Sequence, residues 1–125
     1  MLLIRTELRQ SEIHGFGVFA KEPVSKGTKV WEFHPLLDIR IPPEVFETLP
    51  AAAREEIEIH LYEPEKGGPL CYEATMGKYM NHSREPNVDF STVNAGWATR
   101  DIAAGEELTC DYRTFMAEYE SIPYI

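Results

Sequence analysis

Two stretches decide the fold of this chain, Lys78-Tyr79-Met80-Asn81-His82-Ser83-Arg84-Glu85-Pro86-Asn87-Val88 and Gly105-Glu106-Glu107-Leu108-Thr109-Cys110-Asp111-Tyr112. In the first, three polar side chains at 81–83 directly follow two apolar ones. Buried polar groups need hydrogen-bond partners, so this pattern indicates a chain entering a half-buried polar site. A hydrogen-bonded turn closed by Pro86 explains the first stretch equally well. A strand that ends in a core tyrosine, Tyr112, explains the second.

A third stretch, Ile13-His14-Gly15-Phe16-Gly17-Val18-Phe19-Ala20, places two glycines around one residue. Glycines in this arrangement let the backbone come close to a ligand or to another strand, although a simple turn into a strand has the same pattern. No third glycine and no long helical pattern follow. A dinucleotide site of the Rossmann type is therefore disfavoured.

The length and charge fit one domain, residues 1–125, with an acidic surface. The chain has 12 Lys+Arg against 21 Asp+Glu, a net charge of −9, and 43% hydrophobic residues, enough for a packed core. The acidity argues against a direct nucleic-acid partner and favours a basic one. The charge is concentrated at 44–73 (−6) and 101–125 (−5), and such charged runs are by themselves more typical of solvated faces than of a binding surface.

The two cysteines, Cys71 and Cys110, form no C-x-x-C pair and cannot complete a four-ligand zinc site, so no metal is expected. A disulfide between them stays open. The apolar run at the N-terminus is too short for a signal sequence, and no stretch approaches membrane-spanning length. We therefore expect a cytoplasmic protein without a membrane partner.

Short β-type segments separated by turns dominate the secondary-structure pattern. The predicted strands are 2–8, 17–20, 28–33, 37–41, 88–93 and 97–100. A helical pattern covers 43–56, with Pro50 as an interruption or a fresh first turn. Residues 57–63 fit either a helix or a strand, and the glycines at 67–68 favour a hairpin with 70–73. The sequence thus predicts a mainly β domain with a short helical insert.

In this order, the three stretches resemble the SET-domain protein lysine methyltransferases, over residues 13–115. The resemblance implies a SET-domain β-clip fold of several small sheets, in which the C-terminal motif threads under a loop in a knot-like arrangement. It further implies that 44–73 is a variable insert and that 113–125 closes the site, without the zinc-binding flanks of many relatives. S-adenosyl-L-methionine and a lysine-bearing peptide are then expected on opposite faces, joined by a narrow channel.

The resemblance also assigns site residues. Tyr112 is expected to be catalytic, orienting the reacting groups. The expected cofactor-binding residues are Gly15, Phe16, Gly17, Lys78, Asn81, His82 and Tyr112, with Lys78 standing where relatives often have arginine. The expected substrate channel is lined by Phe33, Phe90, Cys110 and Tyr112. The other histidines, His14, His34 and His60, are expected at the surface or in packing contacts.

The chemistry accounts for these residue types. Methyl transfer to lysine requires a neutral amine aligned with the methyl carbon and the sulfur. A free lysine has a pKa near 10.4, which a poorly hydrated aromatic channel lowers, so no strong protein base is required. Cys110 stands where relatives commonly have a bulkier aromatic residue. We therefore expect more than one methyl group per lysine, unless Phe90 or another aromatic ring fills the gap.

Three functions remain open at this point. The first is methyl transfer to lysine in a basic protein, for example a histone-like one, with a homodimer as a compatible assembly. The second is a SET-like non-catalytic binding module, and the third is a methyltransferase acting on a non-protein amine. On the implied layout, the acidic block 44–73 forms one wall of the peptide groove and the block 101–125 reaches the opposite wall, which would speed capture of a basic tail.

Overall fold

The computed structural model describes residues 1–117, which form three small sheets and two short helices. The strands are β1 (Thr6–Gln10), β2 (Phe16–Ala20), β3 (Lys29–Glu32), β4 (Asp38–Ile41), β5 (Leu70–Glu73), β6 (Asn81–His82), β7 (Val88–Asp89), β8 (Ala95–Ala98) and β9 (Thr109–Cys110). The helices are α1 (Pro43–Phe46) and α2 (Ala51–Glu58), and 3₁₀ turns cover Met76–Tyr79 and Tyr112–Thr114. The predicted mainly β fold is confirmed. Of the predicted closing segment 113–125, residues 118–125 lie outside the described residues.

The largest sheet has the strand order β3-β8-β7-β9-β6, which places the C-terminal strand between two strands that are neighbours in sequence. β9 runs parallel to both, with Asn81 opposite Thr109 and Val88 opposite Cys110. The connection 83–87 therefore crosses β9. This crossing is the knot-like threading that the sequence predicted.

Hydrogen bonds hold the crossing in place. The buried side chain of Asn87 donates from Nδ2 to the Glu107 carbonyl at 2.8 Å and accepts at Oδ1 from the Thr109 N–H at 2.8 Å. The Ser83 N–H donates to the Cys110 carbonyl at 2.9 Å. Because buried backbone groups must be paired, Asn87 supplies partners where the short strands leave none.

The core lies where β2, β3, β7 and the C-terminal motif meet. Val18, Val30, Val88, Ile102 and Leu108 are almost completely buried. Burial of each such side chain contributes about 1.5–3 kcal/mol, so the core fixes the sheet against which the threaded segment packs.

The insert follows the prediction in one place and departs from it in another. Its helical pattern is interrupted at Pro50, as predicted, and Pro50 occupies the position before the first turn of α2. The predicted hairpin of 57–63 with 70–73 is wrong: Ile57 lies in α2, and β5 pairs with β4. Tyr62 retains a single bridge to Cys71. The helix stripe and the helix-favouring glutamates before Ile57 outweighed its β propensity.

Strand bounds also shifted elsewhere. The first strand begins at Thr6 rather than Leu2, and Leu2 instead forms an isolated bridge with Trp31. The predicted strand 88–93 is limited to Val88–Asp89. Within residues 1–117, no helix is long and apolar enough to cross a membrane.

Candidate active site

A cavity of about 1180 Å³ lies where β6 and the residues after β9 meet the insert. It is lined by the turn before β2, by segments 58–64, 77–81 and 90–94, and by residues that follow β9. The threading through β9 therefore brings all three sequence motifs to one cavity.

Asn81 clamps the glycine-containing turn to the C-terminal motif. Its Nδ2 lies 3.0 Å and 3.1 Å from the carbonyl oxygens of His14 and Phe16, and 2.9 Å from Oε2 of Glu107. A Cβ at Gly17 would collide with the Glu107 carboxylate where Asn81 holds it, so glycine lets this carboxylate lie against the backbone. The clamp thus fixes the backbone that the sequence predicted as a cofactor cradle.

His82 carries a buried polar atom that the described residues leave without a partner. Its Nδ1 accepts the Tyr112 N–H at 3.0 Å, which places the ring hydrogen on Nε2. Burial lowers the pKa of His82, so the ring is neutral at pH 7, although the Asp111 carboxylate opposes this effect. No other described group is hydrogen-bonded to Nε2. Buried donors are normally paired, so this atom fits a polar ligand.

Tyr112 is held at two points. Its hydroxyl donates to the Met80 carbonyl at 2.6 Å, and its backbone N–H is bonded to His82 as above. The ring is buried and lines the cavity. The phenol oxygen is therefore fixed in position beside the cavity rather than free to rotate.

Aromatic rings form one wall of the cavity. Trp31 and Phe90 lie 5.4 Å apart, Phe90 and Phe115 5.5 Å, and Phe115 and Tyr112 5.7 Å between ring centroids. Tyr62 joins the wall through Phe115 at 5.6 Å. Aromatic faces of this kind exclude water and suit an alkyl chain that ends in an amine.

Sequence reasoning missed Trp31 and Tyr62 as members of this wall. A signal existed for the first of them: Gly96 stands opposite Trp31 in the sheet, and its missing side chain makes room for the Phe90 ring, whose carbons lie 2.8 Å from where a Cβ would be. Tyr62 was assigned to a hairpin strand. The local sequence pattern around Tyr62 does not distinguish a strand residue from a residue that lines the cavity. That position depends on how the insert folds back onto the sheets.

The predicted site residues divide into two groups. The cavity brings together Gly15, Phe16, Lys78, Asn81, Phe90, Cys110 and Tyr112. Gly17 and His82 contact these residues from behind the lining. Phe33 is not brought to this cavity: β3 ends at Glu32, and the Phe33 ring instead lies under the Arg40 guanidinium at 4.1 Å. Trp31 instead occupies the place in the cavity wall that was expected for Phe33.

Lys78 lies beside two tyrosine rings. Its Nζ donates to the Tyr72 hydroxyl at 3.2 Å and is 5.1 Å and 5.8 Å from the ring centroids of Tyr72 and Tyr79. The His60 ring contacts the Tyr79 ring in an edge-to-face arrangement, with 4.6 Å between the ring centroids. His60 is thus a packing residue of the cavity wall, as expected.

The two cysteines are free and buried, so the question of a disulfide is answered. Burial raises the pKa of the Cys110 thiol, which keeps it protonated. Cys110 lines the cavity next to Tyr112. Within residues 1–117, no group of three or more His, Cys, Asp or Glu side chains is placed to hold a metal ion.

The acidic blocks are distributed differently from the prediction. Glu58 and Glu63 of the block 44–73 line the cavity, as does the buried Glu73, whose pKa is raised by burial. The opposite acidic wall is wrong for the described part of the block 101–125. Those carboxylates are bound within the fold, by the side chains of Arg100 (Glu106), Asn81 (Glu107) and Arg113 (Asp111) and by the Lys26 N–H (Asp101).

The SET domain family model matches residues 15–113 of this chain. Histone-lysine N-methyltransferase ATX2 of Arabidopsis thaliana is 31% identical over 124 residues, covering 89% of this chain and 11% of that protein. Histone-lysine N-methyltransferase TRX1 of Oryza sativa subsp. japonica is 30% identical over 132 residues, covering 95% of this chain and 12% of that protein. The chain therefore spans about a tenth of the length of these plant relatives.

Solved structures share the fold. The Plasmodium falciparum protein PFL0690c superposes with a TM-score of 0.60 at 22% identity, covering 89% of this chain and 95% of that one. An apo form of Chaetomium thermophilum Polycomb Repressive Complex 2 gives a TM-score of 0.67 at 22% identity, covering 97% of this chain and 16% of that one.

Proposed function

The chain belongs to the SET domain family, and we propose that it transfers methyl groups from S-adenosyl-L-methionine to the side-chain amine of lysine in a basic protein. The observation that carries this proposal is the position of Tyr112, fixed by Met80 and His82 at the end of an aromatic wall. The plant relatives named above are histone-lysine N-methyltransferases. Their names support transfer to lysine and, more specifically, a histone-like substrate.

The residues present fit the cofactor. Its binding would use the turn at 15–16, the Asn81 side chain that fixes this turn, the His82 Nε2 to which no residue of 1–117 is hydrogen-bonded, and the cation of Lys78. When bound, S-adenosyl-L-methionine supplies an electrophilic methyl group on a sulfonium centre.

The substrate amine would enter along the aromatic wall. Rings of Trp31, Phe90 and Phe115 keep this path poorly hydrated, which lowers the pKa of an entering lysine and favours its neutral, nucleophilic form. Tyr112 would then orient that amine through its fixed phenol oxygen. Holding the two reactants in line lowers the activation barrier, because the entropy lost in aligning them is already lost on binding.

The charge at the cavity supports a basic substrate. Glu58 and Glu63 place carboxylates on the insert side of the cavity, and a basic tail would be attracted by them. A chain with net charge −9 provides the same long-range attraction.

Incubation with labelled S-adenosyl-L-methionine and a panel of lysine peptides and free amines tests the proposal. Wild type should label peptides on lysine, and Tyr112→Phe should retain cofactor binding while losing about 10- to 100-fold in rate, the value of one oriented hydrogen bond at a charged centre. Cofactor binding without any transfer would identify a binding module instead. Transfer to free amines but to no peptide would identify a small-amine methyltransferase.

A further inference from the structure

A second cavity, of about 330 Å³, adjoins the first and has no role in the function proposed above. The two cavities share four lining residues, Tyr62, Pro64, Val93 and Asn94. The shared residues come from the loop after α2 and from the loop before β8. A polypeptide that passes between these loops would therefore face both cavities.

Arg40 gives the second cavity its chemical character. Its guanidinium lies 4.1 Å from the centre of the Phe33 ring, on which it is stacked. Across the β4–β5 pair it stands opposite Cys71, and its positive charge partly offsets the rise in the pKa of that thiol caused by burial. Arg40 is exposed and forms no ion pair with any residue of the described chain. The stacked ring holds the planar group in place without neutralising it.

The positive charge of Arg40 lies in otherwise acidic surroundings. The insert that supplies most of the nearby wall carries a net charge of −6. Glu65 also lines the second cavity, and its exposed carboxylate is not within ion-pair distance of Arg40. A basic polypeptide attracted to this face would thus meet one cation held on an aromatic ring. A guanidinium in that setting is suited to bind a carboxylate through two parallel hydrogen bonds.

We infer that the second cavity is a subsite for a carboxylate side chain of the substrate polypeptide, an Asp or Glu close in sequence to the methylated lysine. This inference rests on the proposed function, because it assumes that the target lysine enters the first cavity. Each extended residue spans about 3.3–3.6 Å, so adjoining cavities correspond to a separation of about two to four residues. The preferred substrate is then a basic segment with one acidic residue at a fixed distance from the lysine.

Amidated, fluorescein-labelled lysine peptides with a single Glu moved through positions about two to four residues on either side of the lysine test the inference. Binding is measured by fluorescence anisotropy and turnover by mass spectrometry. At one position, Glu should bind wild type about two- to fivefold more tightly than Ala, the value of a stacked, partly exposed Arg–carboxylate pair. Arg40→Ala should remove this preference, and Arg40→Glu should reverse it in favour of a Lys at the same position.

Arg5→Ala is the matched control, because Arg5 is an exposed arginine paired with Glu22 and lines neither cavity. It removes the same charge and should keep the Glu preference. Equal binding of Glu and Ala peptides at every position, or a preference that survives in Arg40→Ala, would overturn the inference. A non-amidated Ala peptide that binds more tightly than every amidated Glu peptide would overturn it as well, in favour of a chain end as the ligand. Turnover of the Ala peptides does not depend on Arg40, so a wild-type protein that fails to methylate them would count against the proposed function. The anisotropy measurement would still decide whether the second cavity is a carboxylate subsite.

Discussion

Replacing Asn81 with alanine removes the clamp between the turn before β2 and Glu107. The side chain has two N–H groups, which serve the Glu107 carboxylate at 2.9 Å and the carbonyls of His14 and Phe16 at 3.0 Å and 3.1 Å. A hydrogen bond to a charged acceptor contributes about 1.5–3 kcal/mol and a neutral one about 0.5–1.5 kcal/mol, so the loss should reach about 2–4 kcal/mol. Domains of this size have about 5–15 kcal/mol of stability, so the variant should still fold.

Asn87→Ala is the matched comparison. Asn87 is also buried and makes two hydrogen bonds at 2.8 Å, to the Glu107 carbonyl and from the Thr109 N–H, but it does not line the cavity. Its loss should cost stability of similar size, about 2–4 kcal/mol with the unsatisfied partners included. The two variants thus differ in their relation to the cavity more than in their effect on folding.

Urea denaturation and calorimetric titration with S-adenosyl-L-methionine separate these effects. Asn81→Ala should raise the cofactor Kd by at least about tenfold, which corresponds to about 1.4 kcal/mol, because the cradle is no longer held. Asn87→Ala should stay within about threefold of wild type. Unchanged cofactor affinity in Asn81→Ala, or an equal rise in both variants, would refute the reasoning.

Three further predictions concern pH, product and salt. Burial holds the pKa of His82 below its usual 6.5, so its contribution to the free energy of unfolding is fully present above that pH and is lost as pH drops through the folded-state pKa, by at most about 1.4 kcal/mol per pH unit. His82→Gln should flatten this loss in urea midpoints measured from about pH 7.5 to about pH 5. Equal slopes for the variant and wild type would count against this assignment. Cys110→Phe should shift the product toward monomethyl-lysine while costing about 1–3 kcal/mol by overpacking, and Cys110→Ala should leave multiple methylation intact. Strictly monomethyl product from wild type after exhaustive turnover would contradict that assignment. Finally, kcat/KM on a lysine-rich peptide should fall steeply with ionic strength, because Glu58 and Glu63 attract the peptide. A kcat/KM that does not change with ionic strength would show that these two carboxylates do not take part in substrate capture.

The motifs predicted the centre of the fold better than its periphery. The resemblance of the motifs to SET domains implied that Asn81-His82 lies beside Tyr112, and the pairing of Asn81-His82 with Thr109-Cys110 places it there. The insert has no such constraint, and residues 57–63 carry helix and strand patterns at once. Its path was settled by tertiary contacts, namely the pairing of β5 with β4, which a local pattern does not contain.

The same division holds for the site. Tyr112, Asn81 and Cys110 were predicted because they lie inside motifs. Trp31 and Tyr62 lie outside any motif, and their place in the aromatic wall depends on where β3 ends and where the insert turns back. Phe33 was assigned to the channel through the family resemblance alone, and it too lies outside the three motifs. The acidic wall predicted at 101–125 was wrong for its described part, 101–117, because charge counts do not reveal which carboxylates are already bound inside the fold.

The most direct test of the central claim is mass spectrometry of a lysine-rich peptide incubated with S-adenosyl-L-methionine and either wild type or Tyr112→Phe. The account predicts methyl groups on lysine with wild type, and about 10- to 100-fold slower transfer with Tyr112→Phe at unchanged cofactor affinity. Equal rates for the two proteins, or no methylated lysine with a wild-type protein that binds the cofactor, would contradict it.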